Sequence, residues 1–280
     1  MDGTGWRYGF SAYASHDSDA FGAKCLRLLA DGFEAMEVFA IGDAVPPAFF
    51  DAYTEAIARV RAQAPVRLSV HLPTTDCNPL ARNRRVRRGA IDSQRAGLEW
   101  AARIGAELAV LHLGSAPPRR PSPPGTSAAD HYGPAWAVAI EVLGELTAEA
   151  ARTGIRLTVE NLIGPGEVAA HPDYLLDLLA GAEMGAVDVT CDLSHALLAG
   201  WDPGDFIRRV GPRLRHIHAN DTDGQGDRHW PLGRGVLDLA PAVRAAREAG
   251  FAGTWLLEVD APVEVLLANR AAVAAIAAAP

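Results

Sequence analysis

The stretch 213-RLRHIHANDTDGQGDRHWPLGRG-235 changes character partway along. Up to Ala219 it reads as a short strand, with His216 and His218 on one face and His216 a layer deeper. From Asn220 it turns polar and glycine-rich, the composition of a loop. The strand therefore ends on a metal-competent imidazole, and Asp221, Asp227 and His229 follow in the loop. The same plan recurs elsewhere in the chain. Seven further short apolar runs stand at 7-RYGFSAY, 34-EAMEVFAI, 66-VRLSVHL, 107-ELAVLHL, 155-IRLTVEN, 186-AVDVTCD and 253-GTWLLEV. Between them lie segments with apolar residues at three- and four-residue spacing, such as 91-IDSQRAGLEWAARIG and 135-AWAVAIEVLGELTAEAARTG. Gly32, Gly105, Gly154 and Gly250 stand where helices end before the next strand. Strands alternating with helices predict βα units and a parallel sheet. Eight units in 280 residues predict an α/β fold, a single-domain (β/α)8 (TIM) barrel spanning 1–280. A doubly wound open sheet would want about six strands and a glycine-rich phosphate turn after the first, and no GxGxxG opens the chain. The Pro-rich segment at about 116–134 follows the fourth strand and reads as a long βα loop with the features of a lid or binding loop.

The strand ends carry the chemistry. In a parallel barrel the active site lies at the C-terminal ends of the strands. Strands 3 to 8 finish at His71, His112, Glu160, Asp192, His218 and Glu258, and His195 lies three residues past Asp192. A lone inward His is more often a hydrogen-bonded core residue, and a lone Glu more often a cap or salt-bridge partner. The set is different. Converging buried carboxylates repel one another and are costly to desolvate unless a cation neutralises them. Glu160, Asp192, His218 and Glu258 make an oxygen-rich ligand set with one imidazole, suited to Mn, Zn, Co or Mg.

The bulk composition narrows the classes. About half the residues are hydrophobic, a fifth are charged, and the net charge is −8. An acidic chain argues against duplex nucleic acid as a partner, since phosphate neutralisation needs a basic face. Cys25, Cys77 and Cys191 are odd in number and lack CxxC spacing, which fits a reduced protein without a disulfide framework. No signal peptide or membrane span is visible, so the expectation is a cytoplasmic protein with no membrane partner. The sequence leaves the oligomeric state open, and a homo-oligomer is compatible with it.

The motifs 37-EVFA, 71-HLP, 112-HLGS, 159-VEN, 191-CDLSHALLAG, 218-HAND, 227-DRHWPLGRG and 257-LEVD, in this order, run over nearly the whole chain. They resemble the xylose isomerase-like TIM-barrel superfamily, which holds sugar (phosphate) isomerases and epimerases together with endonuclease IV, of AP endonuclease family 2. In the epimerase branch the resemblance implies one metal held by Glu160, Asp192, His218 and Glu258. The two glutamates then act as acid and base, and His195 contacts the substrate. In the endonuclease IV branch it implies three zinc ions on nine positions, which match His71, His112, Glu160, Asp192, His195, His218, Asp227, His229 and Glu258. All nine are ligand-type residues here. One ion is expected, with up to three accommodated if the subsites His71, His112, His195, Asp227 and His229 are used.

Two enzymatic readings follow. The first is a divalent-metal-dependent isomerase or epimerase of a small sugar, sugar phosphate or cyclitol, working by proton transfer next to a carbonyl. Glu37 at the second strand resembles the isomerases and favours it. The alternative is a multinuclear phosphoesterase or hydrolase on a small phosphorylated substrate, favoured by the complete nine-residue set. A non-enzymatic metal- or sugar-binding barrel is a third reading, and nothing in the sequence looks like a degraded site. Candidate substrate-binding residues are His71, His112, Arg228, Arg88 and Trp230. In the run 82-RNRRVRRGA, Arg85 or Arg88 is placed to reach over the barrel mouth, against the plainer reading of a solvated helix face. Arg119 and Arg120 would serve a lid or nothing. Trp201 and Trp230 flank the site in sequence, and Gly233 and Gly235 are expected at positive φ in a tight turn.

Overall fold

The computed structural model describes residues 5–116, 125–164, 166–181 and 187–279. The Pro-rich stretch 117–124, with Arg119 and Arg120, lies outside them. Eight parallel strands close into a barrel in chain order. They are β1 (Arg7–Ser11), β2 (Ala35–Phe39), β3 (Arg67–His71), β4 (Leu108–Leu111), β5 (Arg156–Glu160), β6 (Asp188–Asp192), β7 (Leu214–Ala219) and β8 (Thr254–Leu257). β1 pairs with both β2 and β8, so the sheet has no free edge. The main helices of the outer layer are α1 (Ser18–Ala30), α2 (Pro47–Gln63), α3 (Arg84–Arg103), α5 (Pro134–Thr153), α6 (Pro172–Ala180), α8 (Pro203–Val210), α9 (Leu239–Glu248) and α10 (Val263–Ala278). Two short helices complete it, α4 (Ala128–Tyr132) and α7 (Leu193–Leu198). Among the described residues no helix is long and apolar enough to cross a membrane.

Local sequence explains the boundaries. Asp17, Asn83, Asp202 and Asp238 cap helices with their side-chain oxygens. Gly32, Gly105, Gly154 and Gly250 all take positive φ at helix ends, as their positions predicted. The βα segment after β4 is not structureless: it holds α4, and Ser115 bridges to Glu167.

The barrel interior is layered, and its layers differ in polarity. Toward the N-terminal ends of the strands Gly9 leaves room for Leu256, whose Cδ1 lies 2.8 Å from where a Cβ would sit. Above that comes a layer of buried polar groups: Ser11, Glu37, Ser69, Thr158, Thr190 and His216. Thr158 and Thr190 share a hydroxyl–hydroxyl bond of 2.7 Å, and Ser69 donates to Glu37 at 2.8 Å. Apolar packing is left to the space between sheet and helices, where Trp255, Phe10, Leu111, Val159 and Ile217 are fully buried.

Candidate metal centre

The last layer is the strand-end cluster. Glu160 ends β5, Asp192 ends β6, His218 lies near the end of β7, and Glu258 follows β8. All four are buried, and their ligand atoms lie within 4.8 Å of one another. His218 Nδ1 sits 3.0 Å from Glu258 Oε2 and 3.3 Å from Glu160 Oε1. Yet these three atoms are not oriented to hydrogen-bond, and each is a buried polar atom without a partner. Lone pairs turned toward a common point and left unsatisfied fit a shared cation. Three carboxylates with one imidazole fit a divalent ion. Asp192 is held in place from both sides: Oδ1 accepts from the His195 amide at 2.7 Å and Oδ2 from Asn220 Nδ2 at 2.6 Å. The first of these bonds caps α7, so one carboxylate sets both the strand end and the helix that carries His195.

The electrostatics match this geometry. Burial, with the Glu160 and Glu258 carboxylates nearby, pushes Asp192 up to about 6 against the pull of His195. Burial opposes a charge on His218, but Glu258, Glu37 and Glu160 outweigh it and hold the imidazole well above its ordinary value. Glu160 is also buried, and His218 and His112 still hold it well below the carboxylate range.

Two further groups adjoin the first. Glu160 Oε2 lies 3.0 Å from His112 Nε2 and 3.4 Å from His71 Nε2. Asp227 Oδ2 lies 3.3 Å from His195 Nε2 and 3.2 Å from His229 Nε2. The rings share one arrangement. Nδ1 of His71, His195 and His229 lies 3.0, 2.9 and 3.1 Å from the carbonyls of Leu72, Asn161 and Glu258. A proton donated there leaves Nε2 basic and turned toward the carboxylates, the orientation a metal-ligating imidazole takes. His229 holds φ +46°, a left-handed backbone that a non-glycine residue adopts at a cost. All nine positions of the sequence-derived set thus meet at one end of the barrel.

Sequence reasoning undervalued Glu37. It is fully buried on β2, with Oε1 2.9 Å from His218 Nε2 and Oε2 3.1 Å from His216 Nε2. Neither contact has hydrogen-bond geometry, but the Glu37 charge, together with that of Glu258, raises the basicity of His218 against its burial. His216 lies in the inner layer, as the strand period indicated. Asn161 and Asn220 were also missed, although 160-EN and 220-ND sit directly beside ligand positions. Asn161 accepts from the Asp192 amide and donates to its carbonyl.

A cavity of about 650 Å³ opens above the cluster. Its walls include His71, His112, Glu160, His195, Asp227, His229 and Glu258, together with Arg228, Trp230 and Arg234. Tyr13 and Phe39, stacked at 4.8 Å, close one side. Arg88 is not brought there. It pairs with Asp92 of α3 and Glu145 of α5 on the helical surface, so this part of the arginine run is a helix face after all. Arg85 lines a separate neighbouring cavity. Trp201 packs edge-on against His171, away from the metal-competent residues. Gly233 takes φ +84°, but Gly235 is required for closeness instead, because a Cβ there would meet Thr222 O at 2.0 Å. Asp221 is loop punctuation of an unusual kind. Its buried carboxylate accepts from the amides of Thr222, Gly233, Gly235 and Leu237.

Known proteins share this architecture. A Thermus thermophilus protein, TTHB071, solved after soaking with ZnCl2, is 30% identical, with 99% of this chain and 98% of that one aligned at a TM-score of 0.68. A D-tagatose 3-epimerase-like protein aligns at TM-score 0.73 and 20% identity, over 95% and 96% of the two chains. The fructoselysine 3-epimerase of Escherichia coli O157:H7 is 26% identical over 125 residues, 44% of this chain and 46% of that protein. The chain spans under half of that relative, and between a third and two thirds of the mycobacterial and methanococcal relatives it matches. The model of the family described as "Xylose isomerase-like TIM barrel" matches residues 26–278. With that match covering β2 to β8 and the strand-end cluster alike, the chain belongs to the xylose isomerase-like TIM-barrel family.

Proposed function

We propose that the protein is a divalent-metal-dependent isomerase or epimerase of a small sugar, sugar phosphate or cyclitol. One observation carries the reading: Glu160 and Glu258 border the same cavity and approach His218 Nδ1 from two sides, at 3.3 and 3.0 Å. Glu160, Asp192, His218 and Glu258 would hold the ion. When bound, it would supply electrophilic polarisation of a carbonyl and its neighbouring hydroxyl. One glutamate removes the proton from the carbon beside the carbonyl, and the other returns a proton to the enediolate that results. His195, His71 and His112 orient hydroxyl groups over this pair. Arg228 adds hydrogen bonds from the rim, and Trp230 offers an aromatic face to a sugar ring. The names of the relatives, a fructoselysine 3-epimerase and a D-tagatose 3-epimerase-like protein, support the same chemistry. Solvent deuterium tests it. Ketoses incubated with metal-loaded protein in D2O should exchange deuterium into the carbon next to the carbonyl, and a broad ketose panel without exchange overturns the reading.

A specific observation favours a second reading, a multinuclear phosphoesterase. His195, Asp227 and His229 converge as their own group, beyond what one ion needs. Metal analysis of the purified protein separates the two. One ion per chain supports the isomerase, and two or three support hydrolysis.

A further inference from the structure

The loop 221–237 brings two arginines to the cavity rim, and the reaction proposed above uses one. Arg228 and Arg234 both line the cavity beside Trp230. The guanidinium carbon of Arg234 lies 4.5 Å from the centroid of the Trp230 ring. A guanidinium over an aromatic ring is attracted to its face, which leaves the N–H donors free to point elsewhere. Among the described residues no carboxylate lies within ion-pair distance of Arg234. Asp223 engages Arg228 through Nε at 3.0 Å, and the two terminal nitrogens of Arg228 have no partner among the described residues.

The frame under these cations is fixed. Asp221 ties four backbone amides of the loop, and the Leu232 amide donates to Asn269 at 2.9 Å. The acids that line the cavity near them are already engaged: Asp260 with Lys24 at 3.2 Å, and Asp227 with His195 and His229 at 3.3 and 3.2 Å. In a chain of net charge −8, the two guanidinium groups bring positive charge to a rim that also carries Asp223, Asp227 and Asp260.

We infer that Arg234, stacked on Trp230, and Arg228 form an anion clamp. The substrate is then a small sugar-like molecule bearing a terminal phosphate or carboxylate, with that group held at the rim while the carbonyl end reaches Glu160 and Glu258. The inference rests on the reading of those glutamates as acid and base, and it narrows their substrate to anionic molecules. A planar guanidinium fork matches either anion bidentately. The buried carboxylates of Glu160 and Glu258 line the deeper wall and disfavour the anion there.

Equilibrium titration tests it. Metal-loaded wild type, R234A and R234K are titrated calorimetrically with D-fructose 6-phosphate, D-gluconate and D-fructose. Wild type should bind at least one anionic ligand tenfold or more tightly than D-fructose, and the phosphate and carboxylate arms show which anion the clamp takes. R234A should weaken the preferred anion at least tenfold more than it weakens D-fructose. R234K keeps the charge and guards against a folding artefact. It should restore part of the loss, because an ammonium lacks the planar fork. Equal affinity of wild type for all three ligands overturns the inference, as does an R234A that weakens all three alike or none. No turnover is required, so the clamp stands or falls separately from the deuterium test.

Discussion

At the scale of the residue, the two glutamates and the Asp227–His229 pair answer different questions. Glu160→Gln and Glu258→Gln each keep the shape of the side chain and remove the base. Each should lower turnover by roughly 10²–10⁴-fold, measured as kcat in metal-saturated protein. Asp227→Ala removes atoms from the group around His195, and His229→Ala does so while also releasing the Glu258 carbonyl. They should lower the bound metal per chain if that group is occupied, and an unchanged metal content by elemental analysis would exclude a subsite there. Much of this was legible in the sequence. Strand alternation fixes the direction of every second side chain, so His71, His112, Glu160, Asp192, His218 and Glu258 could be placed inward from the chain alone. Glu37 could not be valued in the same way. Its partners, His216 and His218, sit across the barrel on β7, and a single acid in an apolar strand says nothing about what it faces. Arg88 went wrong for a related reason. The length of the loop before α3 sets which way that helix turns its face, and in the fold the residue meets Asp92 and Glu145.

At the scale of the element, the loop from Asp221 to Leu237 is the part that a substitution breaks most directly. Gly235→Ala would place a methyl 2.0 Å from Thr222 O and 2.5 Å from Asp221 Oδ1. It should destabilise the protein by about 1–3 kcal/mol or more, read from chemical denaturation. Asp221→Asn keeps the volume but loses the charge that four amides share. It should cost about 2 kcal/mol and loosen the loop that carries Asp227 and His229. The glycines were visible in the sequence as turn signals. The reason for Gly235 was not, because a close approach between Gly235 and Thr222 exists only once the loop has closed on Asp221.

At the scale of the whole molecule, the cluster couples stability to pH and to metal. Burial opposes a charge on His229, but its bond to Asp227 and the carboxylates of Glu258 and Asp192 raise its pKa from 6.5 to about 9. A group whose pKa is raised on folding contributes stability that is fully present below the unfolded value and is lost as pH climbs through the folded one. The Tm of chelator-treated protein should therefore fall between about pH 6.5 and 9. Metal-loaded protein should melt higher, and the alkaline fall should shrink where an ion also occupies the His195–Asp227–His229 group, since a ligating imidazole is already neutral. A flat profile for the stripped protein would remove this coupling. The fold was legible at this scale because eight strand–helix alternations leave few alternatives to a closed parallel barrel.

The carboxylate of Asp221 gives the loop a property its surface position hides. Gly224, Gln225 and Gly233 are exposed, as in any mobile connection. The amides of Gly233, Gly235 and Leu237 nevertheless end on one buried anion. Those three protons should exchange with heavy water on the timescale of core strands, while the amides of Gly224, Gln225 and Gly226, held by the Thr222 hydroxyl and the Asp223 carboxylate nearer the surface, exchange faster. A ligand arriving at Asp227, His229 or Arg234 would then meet a surface already set, and the speed of its capture would be limited by diffusion to the rim and not by the ordering of the chain.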